Sequence, residues 1–104
     1  MKLDWSERAL NDIMHLRDYI AQDSPFYARL FTERLVKRAE HLLEFPRMGR
    51  PVPEAERDDI RELIYQGYRL IYRLDESLGR IQLVSVIHGS RDLSNTDKQP
   101  WSSA

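Results

Sequence analysis

The sequence predicts an α+β domain in which an N-terminal strand and a helical hairpin pack on a small antiparallel β-sheet. Two observations carry this. Apolar residues recur at three- and four-residue spacing from Leu10 to Leu42, and the period changes to two from Ile60 onward. Between the two regimes, residues 46–59 hold Pro46, Gly49, Pro51 and Pro53 with several charges and no periodicity. The 104 residues fit one domain, 1–104.

Leu3 and Trp5 alternate with polar residues, so residues 2–5 form a short first strand. Ser6 is a good helix N-cap, and Glu7 in the first turn favours the helix dipole. Leu10, Ile13, Leu16 and Ile20 then line one stripe of the first helix. Asp23-Ser24-Pro25 is the break: Ser24 caps a second helix, and Pro25 suits a first-turn position whose N–H has no helical acceptor. Ala28, Phe31, Leu35, Ala39 and Leu42 continue the helical period until Glu44-Phe45-Pro46. Residues 46–59 read as a long loop inside the domain.

Three strands follow. Residues 60–65 are the first, Gln66-Gly67 a tight turn, residues 68–74 the second, residues 75–79 a hairpin loop, and residues 80–88 the third. The N-terminal strand is expected at an edge of this sheet, with the helices over one face. On the last strand, strict alternation places Gln82, Val84, Val86 and His88 on one face and Ile81, Leu83, Ser85 and Ile87 on the other. The polar tail, 94–104, is expected to be loosely ordered.

The chain is 41% hydrophobic and 32% charged, enough for a modest core that gains from a partner. It has no cysteine, which favours a cytoplasmic location and removes thiol chemistry. Met1-Lys2-Leu3-Asp4-Trp5 does not read as a signal peptide, and no apolar run approaches the roughly 18 residues of a membrane helix. The net charge of −1 argues against a general nucleic-acid binder. Residues 1–59 hold 10 basic against 12 acidic side chains, but residues 61–91 hold 5 against 3, and those five are Arg61, Arg69, Arg73, Arg80 and Arg91. They are either a local positive face for phosphate or carboxylate groups or simply solvated strand positions.

Standard catalytic motifs are missing: no glycine-rich phosphate loop, no HExxH, no GxSxG. No metal or cofactor is expected, and His15 and His41 read as solvated helix residues. His88 stands apart because it ends the last strand before Gly89-Ser90-Arg91-Asp92. Arg69 lies near the start of the middle strand and Arg91 just past the end of its antiparallel neighbour, which puts both towards one end of the sheet. The alternative is that His88 and Arg91 brace the terminal turn. Tyr65, Tyr68 and Tyr72 are either a stacking platform for bases or cross-strand packing, and packing is the commoner role of strand aromatics.

The order strand–helix–helix–loop–three strands resembles the RelE/ParE toxin superfamily across the chain, and several segments resemble its ParE-type branch. They are Trp5 with Ala9, Tyr19-Ile20-Ala21 with Asp23-Ser24-Pro25, Phe45-Pro46 with Gly49-Arg50, and Glu54. Ile60-Arg61-Glu62-Leu63, Tyr68-Arg69-Leu70-Ile71-Tyr72-Arg73 and Ile87-His88-Gly89-Ser90-Arg91-Asp92-Leu93 complete the set. The resemblance implies a toxin of a type II toxin–antitoxin pair, acting on DNA gyrase and held in a hetero-oligomer by a cognate antitoxin. No membrane association is expected from a chain without a membrane-length apolar run, and no sequence-specific DNA binding is expected of this chain alone.

RelE-like relatives instead cut ribosome-bound mRNA. Carried onto this chain, their pattern matches Arg69 and Arg91, with His88 as a possible acid–base group. The lysines expected on the preceding strand fall on Ile60 and Glu62, and the C-terminal tyrosine falls near Asp97 and is absent. Cleavage through a 2′-OH needs an acid, a base and cations at the phosphate, and Glu62 would repel that phosphate. Candidate target-binding residues are Arg61, Arg69, Arg73, His88 and Arg91, and Phe26 and Tyr27 are either antitoxin-binding residues or core packing. A relative that binds its antitoxin without being toxic is a third class.

Overall fold

The computed structural model describes residues 1–94 and 99–103. Strand β1 (Lys2–Trp5) leads into α1 (Glu7–Ala21), whose cap Ser6 accepts a hydrogen bond from the Ala9 amide at 3.0 Å. Helix α2 (Pro25–Glu40) starts the same way, with Ser24 accepting from the Tyr27 amide at 3.1 Å, and tightens into a 3₁₀ turn over His41–Leu43. Strands β3 (Ile60–Tyr65), β4 (Tyr68–Asp75) and β5 (Arg80–His88) form the antiparallel meander. Gln66 and Gly67 both take positive φ, 51° and 83°, the backbone of a two-residue hairpin turn whose twist matches its strands.

The segment read as a loop contributes a strand of its own. Arg50–Pro51 is β2, paired antiparallel with Arg61 and Glu62 of β3, and Pro53–Ala55 is a 3₁₀ turn. The five-stranded order is β1-β5-β4-β3-β2, with β1 running parallel to β5 at one edge. Among the described residues no helix is long and apolar enough to cross a membrane.

Both sheet faces are covered. On one, Ala9, Phe31, Leu35, Ala39 and Leu42 from the helical segments meet Leu63, Leu70, Tyr72, Leu74, Ile81, Leu83 and Val86. Each fully buried leucine or isoleucine there contributes about 1.5–3 kcal/mol. On the other, Ile60, Ile71, Val84 and Ile87 are covered by Val52 and by Leu93 and Trp101 from the C-terminal segment. Of the tail expected to be loosely ordered, Pro100–Ser103 form a 3₁₀ turn and Trp101 is 4% exposed.

The alternation expected along β5 is broken. Ile71 pairs with Ser85 but Tyr72 pairs with Leu83, so Val84 is an extra residue in a β-bulge. Val84 lies in the second core, while Val86 joins Leu83 beneath the helices, and His88 follows it there against Tyr68, their ring centroids 5.6 Å apart. The cause is visible in α1. Ser6 Oγ donates to the Val84 carbonyl at 3.0 Å, and the Asp12 carboxylate accepts from Ser85 Oγ at 2.6 Å and the Val86 amide at 2.9 Å. These partners satisfy the groups the bulge takes out of the ladder.

Gly49 sits where only glycine fits. A Cβ there would lie 2.4 Å from the Glu62 carbonyl oxygen and 2.7 Å from the Tyr72 hydroxyl. The Gly49 amide donates to that hydroxyl at 3.2 Å, and the hydroxyl donates to the Pro46 carbonyl at 2.8 Å, fastening the loop to the core. Gly49→Ala is expected to cost about 1–3 kcal/mol by overpacking, read as a lower urea midpoint with unchanged m. An unchanged midpoint would show that the loop is free to move aside.

Candidate functional site

Arg69 projects from β4 onto the sheet face opposite the helices and is 5% exposed. Its Nη1 and Nη2 donate to the two oxygens of Glu54, each at 2.8 Å, and its Nε donates to Glu62 at 2.6 Å. Nη1 also reaches the Arg91 carbonyl at 3.0 Å. Glu62, 1% exposed, takes a second hydrogen bond from Arg50 Nε at 2.7 Å, and Glu54 accepts the Leu93 amide at 3.2 Å. Two cations thus balance two anions, and one guanidinium ties β3, β4, the Pro53–Ala55 turn and the start of the C-terminal segment together. Its planar fork suits the bidentate contact.

Paired with Arg69, the Glu54 carboxyl drops from an ordinary 4.5 to about 2. A carboxyl depressed in the folded state stabilises the fold above its unfolded value and loses that contribution as pH falls through the folded one. The stabilisation of about 3 kcal/mol is therefore present above roughly pH 4.5 and gone near pH 2. Glu54→Gln should lower stability at pH 7 and remove this part of the acid dependence, measured by urea titration between those pH values. An unaltered pH profile would sink the assignment.

Arg61, read from sequence as a target-binding candidate, points inward. It is 7% exposed and donates to the Gly49 carbonyl at 2.7 and 3.2 Å and to Asp58 Oδ1 at 3.0 Å. Arg73 is half-buried and pairs with Asp59 at 3.4 Å, while Arg80 pairs with Asp4 at 3.2 Å. His88 is exposed at the strand end, its Nδ1 2.7 Å from Ser90 Oγ and 3.2 Å from the Ser90 amide. Arg91 is exposed beside it. The structure brings Arg69 and Arg91 together through the Arg91 carbonyl, not its guanidinium. Tyr72 is fully buried, and burial pushes its hydroxyl pKa up; Tyr65 and Tyr68 pack on Phe31 with centroids 5.5 and 5.8 Å away. The tyrosines are packing residues. The Asp97 position lies outside the described residues.

Among the described residues Arg91 has no carboxylate within 4.0 Å, and further cations without one lie on α2. Arg29, Arg34 and Lys37 are exposed and Arg38 is half-buried, and among the described residues none has a carboxylate within 4.0 Å. At the start of that helix Phe26 and Tyr27 are 67% and 48% exposed, and the Arg29 guanidinium lies 5.8 Å from the Phe26 ring centroid. No three His, Asp or Glu side chains among the described residues gather to hold a metal ion.

Comparison with known proteins fits this architecture. The family described as the ParE toxin of the type II toxin–antitoxin system parDE matches residues 3–93. Toxin RelE2 of Caulobacter vibrioides is 34% identical over 88 residues, which are 84% of this chain and 93% of that protein. The chromosomal ParDE toxin–antitoxin system from P. aeruginosa superposes with a TM-score of 0.69 at 21% identity, over 85% of this chain and 95% of that one. The isolated E. coli RelE toxin gives 0.61 at 24% identity, over 91% and 90%. The intact E. coli RelBE toxin–antitoxin complex gives 0.58 at 27% identity, over 86% and 96%. With the family matching residues 3–93 of the chain and the fold shared, the chain belongs to the RelE/ParE superfamily of type II toxins, in the ParE toxin family.

Proposed function

We propose that this chain is a cytoplasmic toxin neutralised by a cognate antitoxin, and that it stops growth by binding DNA gyrase rather than by cutting RNA. The carrying observation is the burial of Arg69. A cation that stabilises a cleaving phosphate must reach it. Arg69 instead spends its guanidinium on Glu54, Glu62 and the Arg91 carbonyl, and Glu62 adds a buried negative charge beside it. The match to the parDE toxin family supports the same branch. The ParDE and RelBE assemblies support an antitoxin partner, and exposed Phe26 and Tyr27 are candidate anchors for it.

A second reading, ribosome-dependent mRNA cleavage, is favoured by exposed His88 beside Arg91 and by the likeness to Toxin RelE2. Purified toxin, gyrase, ATP and relaxed plasmid test the first. Linear DNA after detergent and protease treatment is the expected result; normal supercoiling at large toxin excess, with folding verified, overturns it. His88→Ala separates the two readings further. For a gyrase-binding surface it should change potency by at most about fivefold, the weight of a peripheral contact. For a ribonuclease it should cost roughly 10²–10⁴ in cleavage.

A further inference from the structure

We propose that a recess at the β4–β5 hairpin end of the sheet, walled by Arg73, Arg80 and Gln82, binds a phosphate group. It lies on the face opposite the helices, at the Arg80 end of β5 and away from His88. Its volume is about 200 Å³, room for more than a single water, and Asp75 and Leu78 complete its lining. Register brings the walls together. Arg73 pairs with Gln82 and Asp75 with Arg80, and alternation along each strand turns all four side chains to one face.

The recess holds more donors than acceptors. Arg73 Nε is the one buried side-chain polar atom without a hydrogen bond among the described residues. A buried donor left unpaired is costly, so a ligand that supplies its acceptor binds favourably there. Asp59 Oδ2 lies 3.4 Å from that nitrogen, but Arg57 already takes both Asp59 oxygens, at 2.9 and 2.7 Å. Arg80 makes one hydrogen bond, from Nη2 to Asp4 at 3.2 Å, and the Gln82 amide makes none among the described residues. Asp75 is the one carboxylate in the lining, and its Oδ1 is tied to its own loop. It accepts Ser77 Oγ at 2.7 Å and the Leu78 amide at 3.2 Å. Two guanidinium forks and an amide on adjacent strands suit a tetrahedral oxyanion, which offers more acceptor oxygens than a carboxylate. Asp4 and Asp59 at the rim, with a net charge of −1, favour a compact phosphate over an extended polyanion.

The test titrates the ¹⁵N-labelled full chain with inorganic phosphate at constant ionic strength and reads the arginine Nε–H signals by NMR. The expected result is a saturable shift of the Arg73 signal, with Kd of about 1 mM or tighter. Arg80→Gln and Gln82→Leu should each weaken it by at least about fivefold. Phosphate should also raise the urea midpoint of the wild type but not of Arg73→Gln. Arg91→Gln, the same change in charge at an exposed arginine, should respond as wild type. A non-saturating drift, an equal response to chloride, or equal weakening in Arg91→Gln overturns the proposal. ATP and a short DNA duplex then identify the source. Binding of ATP without the duplex supports a small phosphorylated ligand, and duplex binding that depends on Arg73 supports a nucleic-acid phosphate in the same recess. The site makes no appeal to gyrase, so this titration and the plasmid assay fail separately.

Discussion

Replacing Arg69 with alanine is expected to lower the free energy of unfolding by about 3–5 kcal/mol, the cost of removing one partner from a buried ionic cluster. Glu62 is 1% exposed and would keep only Arg50, and Glu54 would lose its bidentate partner. Small domains carry only about 5–15 kcal/mol in all, so a marginal variant would be partly unfolded at growth temperature. Arg69→Lys should recover part of the loss, because an ammonium restores charge but not the two-pronged contact with Glu54. Urea denaturation decides the matter: a shift worth under about 1 kcal/mol would mean that the cluster does not hold these elements together. The result also governs how toxicity data are read. Loss of activity in Arg69→Ala would report loss of fold, and only a folded Arg69→Lys protein can speak to chemistry.

Much of this was legible in the sequence because the signals were local. The N-caps Ser6 and Ser24, the period of α2 and the Gln66-Gly67 turn each act over a few residues, and the structure realises each; in α1 the stripe holds at Ile13, Leu16 and Ile20, whereas Leu10 is 49% exposed and Ala9 is buried in the core. The Arg69 cluster was legible only in part. The tight turn fixes Ile64 opposite Arg69, which makes Glu62 a same-face diagonal neighbour of that arginine. What cannot be read that way is Glu54, fifteen residues distant and delivered by a turn whose path depends on Gly49 and Tyr72. The β5 bulge was hidden for a similar reason: Asp12 and Ser6 impose it from seventy or more residues away. The positive face was sought on the strands because arginine dominates there. Counting charges does not show that Arg61, Arg69, Arg73 and Arg80 each find a carboxylate, whereas among the described residues Arg91, Arg29, Arg34, Lys37 and Arg38 do not.

Trp101→Ala is expected to cost about 3–5 kcal/mol, as for other buried large aromatics truncated to alanine. Trp101 is 4% exposed in the cluster of Val52, Ile60, Ile71, Val84, Ile87 and Leu93, and truncating it would open the sheet face that the C-terminal segment covers. The chain has two tryptophans, so in a Trp5→Phe background fluorescence reports Trp101 alone, and its emission should shift to the red on unfolding. Trp101→Phe should retain most of the stability. A cost below about 1 kcal/mol for the alanine variant would mean that the segment adds little to the fold. The two largest effects should also not add. Arg69 holds the Arg91 carbonyl and, through Glu54, the Leu93 amide, so it anchors the start of the segment that Trp101 pins further along. Once either anchor is gone, the segment already gives up part of the other's contribution. The double variant should therefore lose about 0.5–3 kcal/mol less than the sum of the single losses. Strict additivity would show that the ion cluster and the second core stabilise the chain independently.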